Sequence, residues 1–129
     1  MNKQLLVTGS ILGLLGVIIG AFAAHGLEKS LAPEELSTFE TGVRYQIYHA
    51  ILLLVIPTFS LSLRTKRVLW VLLLTGIIFF SGSIYGLATN VMSSFDFKKI
   101  ALITPVGETL LIVAWAILVY NFIKRPSDK

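Results

Sequence analysis

Gly20-Ala-Phe-Ala-Ala-His25-Gly-Leu27 closes a charge-free apolar run that begins at Leu5. A helix of about 20 residues rises about 30 Å, the thickness of a bilayer's hydrocarbon core. Leu5–Ala24 is therefore read as a membrane span, with His25 where it meets water and Gly26 suited to a left-handed C-terminal cap. A secretory signal is the alternative, because Lys3 precedes the run and Ala21-Phe22-Ala23 has the small-x-small form of a cleavage site. The apolar core of a signal is usually about 7–15 residues, shorter than this run, so a retained helix is expected. Gly9, Gly13, Gly16, Gly20 and Ala24 recur at spacings of three and four and form one small-residue stripe. In lipid such stripes let helix backbones approach closely. The same stripe offers a face, through Gly9, Gly13, Gly16 and Gly20, for a homo-oligomer.

The segment that follows is the most polar part of the chain, with Glu28, Lys29, Glu34, Glu35, Glu40 and Arg44. Pro33-Glu-Glu35 reads as a helix start: proline is tolerated in a first turn, and carboxylates favour the positive end of the helix dipole. Leu36, Phe39, Val43 and Ile47 then recur at helical spacing, which predicts an amphipathic interfacial helix over 33–44, bending at Gly42 into a second span. That span is expected over 45–63, closed by a tight basic turn at Arg64-Thr-Lys66-Arg67. A third span is expected over 68–87 and a fourth over 100–123. The fold class is thus an all-α, polytopic integral membrane four-helix bundle in one domain.

Composition agrees. Of the 129 residues, 55% are hydrophobic and 14% are charged, against about 25% charged in soluble domains. There is too little charge to cover a water-facing surface, so the lipid bilayer is the expected partner. The chain has no cysteine, which removes disulfides, thiolate nucleophiles and cysteine-ligated metals. The net charge of +4 does not point to nucleic acid, because the basic residues sit in short clusters between apolar runs. Clusters there set topology. Lys3, Arg64, Lys66, Arg67, Lys124, Arg125 and Lys129 fall on the N-terminal tail, the second turn and the C-terminal tail. Lys29, Arg44, Lys98 and Lys99 fall on the other two loops, among acids. The positive-inside rule then places both termini in the cytoplasm of a multi-pass cell-membrane protein.

With that orientation, His25, His49, Ser81–Gly86 and Glu108 are expected in the outer-leaflet half, leaving the inner half almost purely aliphatic. Glu108 would lie about 12 Å below the outer face for a span beginning at Ile100. A carboxylate in hydrocarbon costs roughly 2.5–3.5 kcal/mol on insertion scales, so Glu108 is expected to face the interior, protonated or paired. His49 is read as a switch or ligand, or as a histidine bonded to a backbone carbonyl. Two imidazoles and a carboxylate can hold zinc, but no local spacing such as H-x-x-x-H occurs, so no metal and no cofactor are expected. No nucleophile elbow, phosphate loop or dinucleotide fingerprint is present.

Four motifs in order, Gly20–Leu27, Thr41-Gly-Val-Arg-Tyr-Gln-Ile-Tyr-His-Ala50, Phe80-Ser-Gly-Ser-Ile-Tyr85 and Ile103-Thr-Pro-Val-Gly107, resemble the YwdK/YgdD-like family of small membrane proteins. The resemblance covers nearly the whole chain. It implies four transmembrane helices and a domain of unknown function, hence no known activity. It directs attention to His25, Arg44, Tyr45, Gln46, Tyr48, His49, Ser81, Ser83, Tyr85 and Thr104 as ligand-binding residues. The family commonly carries a second glycine where this chain has Glu108, and a glycine or other small residue where it has Ala23. Three functions follow in order of preference. The first is a non-enzymatic membrane protein whose polar cluster binds a lipid headgroup, small solute or partner. The second is an oligomeric or proton-coupled transporter using Glu108 and His49. The third is a membrane enzyme with a metal at the histidines.

Overall fold

A computed structural model describes residues 1–90, Asp96 and 101–125. The expectations for Lys98, Lys99, a span start at Ile100 and Lys129 lie outside these residues. Among the described residues there are four long helices: α1 (Asn2–His25), α2 (Pro33–Val55), α3 (Leu63–Ala88) and α4 (Ile103–Lys124). Short 3-10 turns follow α1 at Leu27–Lys29 and α2 at Ile56–Thr58. Among the described residues, the stretches Asn2–Lys29, Leu63–Ala88 and Ile103–Lys124 are long and apolar enough to cross a membrane. The stretch carrying α2 is not, because Glu40, Arg44, Gln46 and His49 are spread along it.

Neighbours in sequence are neighbours in space. α1 packs on α2, α2 on α3 and α3 on α4, while α1 and α4 make no comparable contact. α3 therefore lies between two partners. Its Leu69, Leu73, Ile77, Phe80 and Ile84 meet Leu52, Leu53 and Ile56 of α2 and Leu111, Ala114 and Leu118 of α4 in the main core. A smaller core of Ala23, Leu27, Leu31, Phe39, Val43 and Ala88 closes the end where α1 meets α2. The outward faces of α1 and α4 carry exposed Leu14, Val17, Ile18, Phe22, Ile112, Val119 and Ile123. An aliphatic exterior of this kind suits a hydrocarbon surround.

The glycine stripe is used inside the chain. A Cβ on Gly9 would lie 2.8 Å from the Ala50 carbonyl oxygen, one on Gly16 2.8 Å from Ile47 Cγ1, and one on Gly20 3.1 Å from Val43 Cγ1. α2 thus takes up the face that the sequence offered to a second copy. The stripe ends on buried Ala23 rather than on Ala24, which is exposed.

Several local expectations are corrected. Gly26 is right-handed, with φ −112° and ψ −50°; a Cβ there would lie 3.0 Å from the Phe22 carbonyl oxygen and 3.1 Å from its ring, a close fit. α2 runs unbroken through Gly42, so the segment expected as an interfacial helix and the start of the expected second span form one helix. Gly42 is a close-approach point instead: a Cβ would lie 2.8 Å from Tyr85 Cε1. The helix then stops at Val55, short of Leu63, because Pro57 lacks the N–H that a continuing helix requires. The turn between α2 and α3 is Ser60–Ser62, and Ser62 caps α3 by accepting from Thr65 N at 3.1 Å. Arg64, Lys66 and Arg67 are consequently in the first turns of α3.

The two ends differ in charge. At one, Lys66 Nζ donates to Asn2 Oδ1 (3.0 Å) and an Arg125 guanidinium N–H to the Ser60 carbonyl (3.1 Å), gathering both chain ends and the α2–α3 turn. At the other lie the α1–α2 connection and the start of α2, with Glu28, Glu34 and Glu35.

Candidate functional site

The polar residues of the motifs separate into two groups, interior links between helices and the lining of a groove. The first is a lock in the interior. Gln46 Nε2 donates to the Leu12 carbonyl of α1 (2.8 Å), and Tyr85 OH of α3 donates to Gln46 Oε1 (2.6 Å). Ser81 Oγ donates to the Gly42 carbonyl (2.7 Å). These bonds tie three helices together, and no buried side-chain nitrogen or oxygen among the described residues is left unpaired. Ser83 Oγ donates to the Phe80 carbonyl (3.0 Å) and lies 2.6 Å from Thr104 Oγ1. Since the Ser83 hydrogen is already used, the Thr104 hydroxyl is the donor in that pair. Gln46, Ser81, Ser83, Tyr85 and Thr104 are thus structural links between helices.

The second group lines an open groove of about 590 Å³ between α2 and α4: Tyr45, Tyr48, His49, Ile51, Glu108, Leu111, Ile112 and Trp115. Helical spacing explains the α2 wall, because residues three and four apart share a face. Tyr45 packs on Phe80 of α3, with ring centroids 5.0 Å apart, and Tyr48 is exposed beside it. His49 is buried to 5% exposure. Its Nδ1 lies 2.7 Å from the Tyr45 carbonyl, and its Nε2 lies 3.0 Å from Trp115 Nε1. Indole N–H only donates and a carbonyl only accepts. His49 must therefore be the neutral tautomer with its hydrogen on Nδ1, and both nitrogens are engaged.

Glu108 is the largest correction. It does not face the interior. Gly107, Leu111, Ala114 and Leu118 form the buried stripe of α4. Gly107 packs against the Phe79–Phe80 backbone of α3, where a Cβ would overlap Phe80 N. Glu108 is one residue, about 100°, around the helix, and so points outward along the groove. It makes no hydrogen bond or ion pair with any described residue.

Depth is also corrected. Gln46 reaches Leu12, near the middle of α1, so it lies near the centre of the bundle. His49, one turn further along α2, is also central rather than at a boundary. Glu108 is five residues into α4, about 7–8 Å from its start. His25 is exposed at the end of α1 and does not line the groove. Arg44 is exposed and donates to Thr41 Oγ1 (3.0 Å). Among the described residues, no three His, Asp or Glu side chains converge as metal ligands would. Trp115, which completes the His49 bond, was not singled out from sequence: within α4 it reads as one more apolar residue.

Apolar helices of bilayer length, an aliphatic exterior and buried interhelical hydrogen bonds define a small helical integral membrane protein. The comparisons agree. The chain belongs to the family described as "Protein of unknown function (DUF423)", whose model matches residues 19–108. It is 40% identical to UPF0382 membrane protein SSP2132 of Staphylococcus saprophyticus, over 95% of this chain and 98% of that protein. It is 35% identical to UPF0382 membrane protein YwdK of Bacillus subtilis (95% and 98% covered) and 30% identical to UPF0382 inner membrane protein YgdD of Escherichia coli (95% and 92%). No solved structure matches.

Proposed function

We propose that the protein is a non-enzymatic membrane binding protein. Its ligand is a small amphiphile or lipid headgroup that enters the α2–α4 groove sideways from the bilayer. One observation carries this reading: Tyr45, Tyr48, His49 and Glu108, all candidates from the sequence, line one open groove. Binding sites join apolar walls to a few oriented polar groups, and this groove has that make-up. The locked His49 ring supports a rigid wall rather than a reacting group. The charge difference between the two ends supports a multi-pass cell-membrane arrangement with both termini cytoplasmic, α2 crossing beside α1.

Native mass spectrometry of the protein released from membranes tests the reading. A small amphiphile should be retained by the wild type and lost on Trp115→Ala with Tyr48→Ala. Equal retention by folded wild type and variant would remove the groove as a site. A proton-coupled transporter using Glu108 and His49 is less well supported, because neither nitrogen of His49 is left to relay a proton to Glu108.

A further inference from the structure

The geometry points to a lipophilic cation as the occupant of this groove: an ammonium or similar organic cation carried on an apolar body. This rests on the binding role proposed above and names the ligand's chemical class.

Among the described residues, Glu108 is the only charged side chain lining the groove. It has no hydrogen-bond or ion-pair partner among the described residues. Arg44, the cationic residue of α2, does not line the groove and donates to Thr41 Oγ1. An unpartnered carboxylate inside a membrane span is costly, and intramembrane acids characteristically mark the path of a ligand or ion. A cation entering the groove would remove that cost. His49 and Trp115 already have their bonds, while the Tyr45 and Tyr48 hydroxyls make none with a described residue. His49 donates to Tyr45 O and accepts from Trp115 Nε1, so neither the imidazole nor the indole N–H is free to hold an anion. Its walls are aromatic, from Tyr45, Tyr48 and Trp115. Aromatic faces attract cations, tryptophan most strongly, and more so where water is excluded. Isoleucine and leucine side chains complete the walls and suit a hydrocarbon body. Charge, aromatic lining and lateral opening all favour the same ligand class.

The test titrates the full-length protein, in uncharged maltoside micelles, with three probes of similar shape by calorimetry. These are tetraphenylphosphonium (cationic), triphenylphosphine oxide (neutral) and tetraphenylborate (anionic). The wild type should prefer the phosphonium at least tenfold over the neutral probe. Glu108→Gln should erase that preference and leave the neutral affinity within about twofold. This variant should fold, because Glu108 is exposed and bonds to no described residue. Glu108→Lys should turn the preference towards the borate. A wild type that binds all three alike, or a phosphonium preference that survives Glu108→Gln, overturns the cation inference and leaves the groove as a site. Failure of every probe to bind overturns both. Short-chain phosphatidylethanolamine, with phosphatidylglycerol as control, separates two sources of the cation. Displacement of the phosphonium by the ethanolamine lipid identifies a headgroup ammonium, and no displacement identifies a free lipophilic cation.

Discussion

Gly107→Ala should be among the most damaging single-methyl additions in this chain. The new Cβ would overlap Phe80 N and lie 2.8 Å from Phe79 C and 2.9 Å from Phe79 Cβ. Comfortable carbon contacts are about 3.5–4.0 Å, so α3 and α4 would have to separate by roughly 1 Å at this point. The obstacle is mainly backbone, which cannot rotate away as a side chain can. The contact is also shared: a Cβ at Gly76 would meet Leu111 Cδ2 at 2.7 Å, so the same displacement loosens the Leu111 knob. Overpacking typically costs about 1–3 kcal/mol, and the upper end applies here. In lipid this loss is not offset by a hydrophobic drive between helices, since packing itself holds them together. Gly82→Ala is the control. Nothing lies within 4 Å of its Cβ position, and alanine is the better helix former by about 0.8–1.0 kcal/mol in water. Thermal unfolding in mild detergent, followed by tryptophan fluorescence, should show a clear drop for Gly107→Ala and no drop for Gly82→Ala. Equal behaviour of the two variants would refute the claim that α3 and α4 meet backbone to backbone at Gly107.

Two further predictions concern the interior lock and the arrangement in the membrane. Gln46→Leu removes the bond to Leu12 O and strands Tyr85 OH, so it should cost about 1–3 kcal/mol. A double-mutant cycle with Tyr85→Phe should show coupling of about 0.6 kcal/mol, at most about 1.7, and strict additivity would mean that the two side chains share no bond. The absence of cysteine gives a clean background for topology. On intact cells an impermeant maleimide should label Glu28→Cys, while Lys3→Cys and Arg125→Cys should react only after lysis. The reverse pattern would overturn the cytoplasmic placement of the termini.

Much of the architecture was legible from the chain alone. Long apolar runs, and too little charge to cover a water-facing surface, specify membrane helices, because unpaired backbone cannot survive in hydrocarbon. The glycine spacing on α1 specified a close-packing face, since helical period alone decides which residues share a side. The motif residues stood out as a set, but which of them meet which helices was hidden. Gln46 and His49 are three residues apart, and the sequence places both simply in the first turns of a span. Only the positions of α1, α3 and α4 around α2 make Gln46 a link between helices and His49 part of a groove wall.

The sequence by itself determined the helices, their apolar character and the asymmetry of charge between the two ends, because these are local or additive properties. Tertiary structure alone decided what each face meets. It extended α2 back to Pro33 as one helix, gave the glycine stripe to α2 of the same chain, and moved Gln46 and His49 to the middle of the bundle. It also turned Glu108 outward. Gly107 is the residue that fits the backbone of α3, and one step around a helix separates the packed face from the open one.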